Sequence, residues 1–264
     1  MVSDDRIKQH FRPDEFAFIA QIEDWLRRVS FDSREFLTPF LNPREQYILS
    51  SLVARQKNLQ LSFNGGVASA EARRAIIAPD YFDLSQANFE IGLLGIDYPQ
   101  KFNHLRQADI LGAVLASGLD RKRLGDILSD ANENQWQLLI DQQLVNFITQ
   151  NVDHIGNSKV NWLALALNSA YDKLDAGQEE FALLASMRID LVIAAIFGLS
   201  RQVAKTMIDQ KLVRINWATC QKADSLIDIG DIISVRQYGR LRLLTVTGRS
   251  KKDKIKATFN VIKR

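Results

Sequence analysis

One cysteine, Cys220, stands in a chain of 264 residues. It leaves no internal disulfide and no cysteine-based zinc site to staple a small fold together, so apolar cores must hold whatever forms here. The length allows two or three such cores, and 46% hydrophobic with 25% charged residues is the composition of an ordinary globular protein. The longest apolar runs, Leu191 to Phe197 and Trp162 to Leu167, fall far short of the roughly 20 residues that span a bilayer. The opening MVSDDRIKQHF carries no apolar stretch of a signal peptide. A reducing, cytoplasmic setting without membrane contact is expected, and the chain is expected to be a monomer.

The net charge of +3 hides a division along the chain. Residues 183–264 hold 16 Lys and Arg against 6 acidic residues, a net of +10, whereas residues 1–182 hold 18 against 25, a net of −7. Clustered cations raise association rate and affinity for polyanions without dictating a fold. Nucleic acid is the first candidate partner, and the basic surface belongs to the last third.

Periodicity divides the rest. Pro13 can open a helix that carries Phe16, Ile19, Ile22, Trp25 and Leu26 at three- and four-residue spacing, and Asn42-Pro43 reads as N-cap and first turn of a second helix to about Gln56. Leu59 to Phe63 alternates, Gly65-Gly66 reads as a tight turn and Ala75 to Ile77 as the returning strand. From Phe89 the order becomes strand (to Ile96), helix (Phe102 to Ser117), two strands (Leu124 to Leu128, Gln135 to Ile140), helix (Gln142 to Ile155) and strand (Val160 to Leu167). That β-α-β-β-α-β order is the ferredoxin-like topology shared by RNA-recognition motifs. Their aromatic signature is absent, since Gln135 to Ile140 offers only Trp136. The polar stretch Asp172 to Glu180 reads as a linker. The expected fold class is α+β, with a helical region over 1–80, a ferredoxin-like domain over 81–175 and a basic domain over 183–264.

In the basic domain Ser186 is expected to cap a helix through Phe197 with Gly198 ending it, and Ser200 to cap a second through about Gln210. Arg201 and Lys205 share one face of that second helix, and its N-terminal amides add a positive end for a phosphate. Short strands follow at Leu212 to Trp217, Ile232 to Arg236, Leu241 to Val246 and Ala257 to Ile262, with Arg214, Arg236 and Arg242 off the core and a charge run through Lys251 and Lys252.

The ordered set Arg188-Ile189-Asp190, Ser200-Arg201, Lys205, Ile208, Val213, Asn216, Gly230-Asp231 and Gly239-Arg240 resembles the RNA-binding module named after ribosomal small-subunit protein four. Phe40-Leu41-Asn42-Pro43-Arg44-Glu45-Gln46, Asp109-Ile110-Leu111-Gly112, Gly125-Asp126-Ile127-Leu128, Asn216-Trp217, Ser234-Val235-Arg236 and Gly248-Arg249-Ser250-Lys251-Lys252 extend the resemblance over nearly the whole chain, to the bacterial YlmH family. It departs at Gln107-Ala108, where members often carry His-Arg, and at Ser250, where they often carry threonine. The resemblance implies a non-enzymatic protein that binds structured RNA, rRNA or tRNA, and associates with stalled large ribosomal subunits. The expected RNA contacts are Arg188, Ser200, Arg201, Lys205, Arg214, Asn216, Arg236, Arg240, Arg242, Lys251 and Lys252, gathered on a single face.

Catalytic signatures do not emerge. His154-Ile155-Gly156-Asn157 imitates a synthetase HIGH motif in three letters and reads as a helix C-terminus; Gly239-Arg240-Leu241 is followed by Arg242, not by the aspartate of pseudouridine synthases. His10, His104 and His154 are isolated, and no Walker or G-x-G-x-x-G sequence occurs. No cofactor and no metal is expected. The rival reading is a protein-interaction adaptor, for instance one linked to cell division, in which the basic domain is a tether.

Overall fold

The structure is a computed structural model that describes residues 11–101, 103–172 and 177–263. The chain divides into two compact units, Met1–Leu174 and Asp175–Arg264. Among the described residues no helix is long and apolar enough to cross a membrane.

The first unit opens with a 3-10 turn, Pro13–Glu15, leading into α1 (Phe16–Asp32), whose Ile19, Ile22, Trp25, Leu26 and Val29 are buried. After β1 (Phe36–Leu37) comes α2 (Pro43–Val53). Its start is the one the sequence predicts. The Asn42 side chain accepts from the Glu45 amide at 2.9 Å, and the Glu45 carboxylate accepts from the Asn42 amide at 2.8 Å. β2 (Leu59–Asn64) and β3 (Arg74–Pro79) complete a three-stranded sheet in the order β1-β3-β2, against which both helices pack. Gly65-Gly66 does not close a tight hairpin: the chain returns through residues 65–73. Buried Arg44 donates to both Glu15 oxygens at 2.8 and 3.0 Å. Burial would raise the Glu15 carboxyl, but Arg44 and Arg12 hold it below its ordinary value.

The ferredoxin-like order is present: β4 (Ile91–Asp97), α3 (Gln107–Ala116), β5 (Leu124–Ser129), β6 (Trp136–Asp141) and α4 (Val145–Asn151) come first, then a small hairpin of β7 (His154–Ile155) and β8 (Ser158–Lys159), then β9 (Asn161–Leu165). The sheet runs β5-β6-β4-β9 with every pair antiparallel. One face packs Leu94, Ile96, Leu138, Ile140 and Trp162 under Ile110, Val114 and Ile148 of the helices. Two boundaries differ from the sequence reading. α3 starts at Gln107, where Asp109 accepts from the Arg106 amide and grips its guanidinium; the expected start, Phe102, lies outside the described residues. His154 to Asn157 forms a hairpin turn with Gly156 at φ 57, not a helix end.

The opposite sheet face, on which RNA-recognition motifs stack bases, is covered by the chain itself over β4 and β6, while Leu163 and Leu165 of β9 stay exposed on it. Leu93, Gln137 and Leu139 are buried there. The Gln137 amide donates to the Ser169 carbonyl at 3.1 Å and accepts from the Tyr171 amide at 2.7 Å, and a Cβ added at Gly66 would strike Leu139. The loop lying over this region is latched by Asp126, whose carboxylate accepts from the amides of Glu71 at 2.6 Å and Ala72 at 3.3 Å.

The second unit opens with β10 (Gln178–Leu184), then α5 (Ile189–Phe197) and α6 (Arg201–Asp209), then β11 (Val213–Ile215), β12 (Ala218–Thr219), β13 (Ile232–Val235), β14 (Gly239–Arg249) and β15 (Ile255–Lys263). They form one sheet, β10-β15-β14-β13-β11-β12. β10 corrects the sequence reading, since it begins inside the stretch expected as linker and pairs with β15 from Gln178↔Val261 to Leu184↔Ile255; residues 173–176 of that stretch lie outside the described residues. Ile189, Val192, Ile193, Ile196, Ala204, Met207 and Ile208 of the helices cover Val213, Ile233, Val235, Leu241, Leu243, Phe259 and Val261. Arg188, not Ser186, is the N-cap of α5, and Gly198 ends it at φ 66.

Burial, with the Glu71 carboxylate nearby, pushes the Asp126 carboxyl from 3.8 up to about 6. A folded value above the unfolded one means that the folded chain holds more protons between the two, so this group's contribution is largest at low pH and falls as pH rises from about 4 through about 6. Asp126→Asn is expected to remove that part of the slope when melting temperatures are followed from pH 4.5 to 7.5 beside the unsubstituted protein; an unchanged slope counts against it.

Candidate nucleic-acid interface

The geometry starts from a buried carboxylate. Asp190, 1% exposed in the first turn of α5, accepts from its neighbour's amide, Leu191, at 3.0 Å. Its Oδ1 accepts from Arg188 Nε at 3.1 Å, and its Oδ2 accepts from Arg188 Nη2 at 3.1 Å and Arg201 Nε at 2.9 Å. Burial works against the charged form, but the two guanidiniums hold the Asp190 carboxyl below its ordinary value. The arginines are not used up by this contact: the Arg188 and Arg201 side chains remain 33% and 57% exposed. One carboxylate thus sets the aim of two guanidiniums, each a planar fork suited to phosphate.

Beside them lies an open groove of about 540 Å³, where Arg188, Arg201, Lys205 and Lys222 meet Asp190, Asp209 and Asp224. Cations exceed carboxylates there by one. Lys222 was not among the residues expected from the sequence; it sits in an irregular segment between β12 and β13, where no periodicity marks it. Two expected contacts also have work inside the fold. The Ser200 hydroxyl accepts from the Val203 amide at 3.2 Å as the cap of α6. Asn216 donates to buried Asp231 at 2.7 Å and accepts from the Ile232 amide at 3.0 Å, tying the β11–β12 turn to the start of β13.

The expectation of a single face does not survive. Arg214 pairs across with Ser234, Ser234 with Arg240, and Ile232 with Arg242. Their alternation with Val213, Ile233, Val235 and Leu241, which face the helices, puts Arg214, Arg240 and Arg242 on the outer face of the sheet. Arg236 is exposed in the turn between β13 and β14, and Lys251 and Lys252 are exposed at the tip of the β14–β15 hairpin. The physical reason is the period of two in a strand: residues flanking core positions must point away from the helices.

Residues 85–169 match the family described as "Putative RNA-binding domain in YlmH", and residues 187–233 match the "S4 domain". The "Ribosome-associated protein quality control protein P2" of Bacillus subtilis (strain 168) is 34% identical over 253 residues, covering 96% of this chain and 97% of that one. The chain belongs to the YlmH family. A solved structure described as "Cell division protein ylmH from Streptococcus pneumoniae" is similar at 33% identity with a TM-score of 0.53, over 62% of this chain and 98% of that one. This YlmH-family chain therefore carries the two family domains in order, and the ferredoxin-like sheet lies within the first of them.

Asp190→Asn raises the net charge by one. If affinity for RNA followed charge alone, binding would tighten. Because the carboxylate aims two guanidiniums, the variant is expected to bind a structured RNA about tenfold more weakly, the equivalent of about 1.4 kcal/mol, in fluorescence anisotropy at fixed salt. Tighter binding would contradict the positioning role.

Proposed function

We propose that this protein is a non-enzymatic RNA-binding protein that grips folded RNA, rRNA or tRNA, on the ribosome, and that it serves quality control of stalled large subunits. The observation that carries the reading is the pair of guanidiniums set by Asp190 beside Lys205 and Lys222 in an open groove. Such a groove suits backbone phosphate and not base edges, because A-form RNA gives side chains little sequence to read in its deep groove. The ribosomal assignment draws on the name of the Bacillus subtilis relative and its near-complete overlap with this chain.

A second reading has one observation in its favour. β9 is an edge strand, and Leu163, Leu165 and, just beyond it, Leu167 are exposed, a surface that an adaptor could offer to a protein; the name of the Streptococcus pneumoniae structure is consistent with that role.

Salt and charge reversal separate the two. If groove cations neutralise about four phosphates, the logarithm of affinity should fall against the logarithm of salt with a slope of about −3. Arg201→Glu with Lys205→Glu is expected to abolish co-sedimentation with ribosomes and, because Arg201 also pairs with buried Asp190, to lower the melting temperature; Lys205→Glu with Lys222→Glu, both exposed, is expected to lose co-sedimentation with circular dichroism and melting temperature kept. Undiminished co-sedimentation of the folded variant would defeat the RNA reading and favour the adaptor.

A further inference from the structure

The groove does not account for the charge. Its four cations face three carboxylates, whereas residues 183–264 carry a net of +10. The outer face of the C-terminal sheet carries a further set of cations. Register places Arg214, Arg240, Arg242 and Lys256 on it, with Glu179 as the one acidic side chain among its strand positions. With strands about 4.8 Å apart and about 6.8 Å between alternate residues, Arg214 and Arg240 stand about 10 Å apart across Ser234, and Arg240 and Arg242 about 7 Å apart along β14.

The same face carries apolar surface in water. Phe181 is 61% exposed opposite Thr258, and Leu183 is 47% exposed opposite Lys256. One exposed aromatic is ordinary on a protein surface. Here the ring stands on the edge strand, diagonal to Lys256 on β15 and two strands from Arg242 on β14, whose row also holds Asn260 and Glu179. A basic track with an aromatic ring in it is what an unpaired nucleic-acid strand binds: cations follow the phosphates and a base stacks on the ring. The helices occupy the other side of the sheet, so this surface and the Asp190 groove are separated by the sheet.

We propose that the outer face of the C-terminal sheet is a second RNA site, which takes a single-stranded segment while the groove on the helical side holds folded RNA. The proposal rests on the RNA-binding reading of this unit and adds a second ligand class to it. Arg214, Arg240, Arg242 and Lys256 follow the strand's phosphates, and Phe181 stacks one base.

The test uses the full chain with two probes: a fluorescent oligouridine 12-mer and a stable RNA hairpin without unpaired tails. Arg214→Glu with Arg242→Glu is expected to weaken the oligouridine at least tenfold and to reduce its salt slope by about 1.4, two phosphates' worth, with the hairpin affinity changed less than twofold. Phe181→Ala, which alters no charge, should weaken the oligouridine about tenfold at an unchanged salt slope. Arg201→Glu with Lys205→Glu should do the reverse, losing the hairpin and keeping the oligouridine. Native mass spectrometry of the unsubstituted protein with both probes should show a complex with one of each. The proposal is overturned if the groove variant loses both RNAs while Phe181→Ala and the outer-face variant bind as before, which leaves the groove as the sole RNA site and the RNA reading intact. Should no variant alter either RNA, both this proposal and the groove reading fall. Lys256→Glu serves in place of the double variant if circular dichroism shows that one misfolded.

Discussion

A single carboxylate organises the helical side of the basic unit. Asp190 is buried, yet it keeps its charge because two guanidiniums and a backbone amide are bonded to it. A buried charge is tolerated only when it is paired and hydrogen-bonded. The fold meets that condition by drawing Arg188 from the start of α5 and Arg201 from the start of α6 to one point. Each arginine spends part of its fork inside and keeps the rest outside. The result is a preset pair of cationic forks, one from the N-cap of α5 and one from the first turn of α6. Ser200 and Asn216 belong to the scaffold of this arrangement, one capping α6 and the other locking a turn to Asp231.

The first unit shows how the same topology can be turned to another use. Its ferredoxin-like sheet buries one face under α3 and α4, and the β4 and β6 part of the other under the loop from Gly66 to Arg73 and the segment through Ser169 and Tyr171, with Leu163 and Leu165 of β9 left exposed. Base stacking on that sheet would require displacing Leu139 and Gln137 from their partners. The covered β4 and β6 positions agree with a sequence that lacks the aromatic signature. Fold likeness gives the topology here and says little about which surface works.

Much of this was legible in the sequence where a local rule had no competitor. Asn42-Pro43 reads as N-cap and first turn and is so in space, with Glu45 completing a capping box, and the βαββαβ order followed from the pattern of apolar residues. β10 was not legible, because Gln178-Glu179-Glu180 reads as solvated linker and its strand character comes from backbone pairing with β15, 71 to 83 residues away. The start of α5 was misplaced because Ser186 looks like a cap, whereas Arg188 holds that position and the Asp190 carboxylate takes the Leu191 amide. The division of the cations was half legible. Alternation already put Arg214 and Arg242 off the core, but only the packing of both helices on the inner face shows that Arg201 and Lys205 lie on the opposite side of the sheet.

The claim on which the rest turns is that the C-terminal unit, through its helical side, is what holds RNA. Ultraviolet crosslinking of the protein to ribosome-bound RNA, with peptides identified by mass spectrometry, reads this directly. The account predicts crosslinked peptides that contain Arg188, Arg201 to Lys205 and Lys222. Crosslinks confined to residues 85–169, with the C-terminal unit untouched, would contradict it.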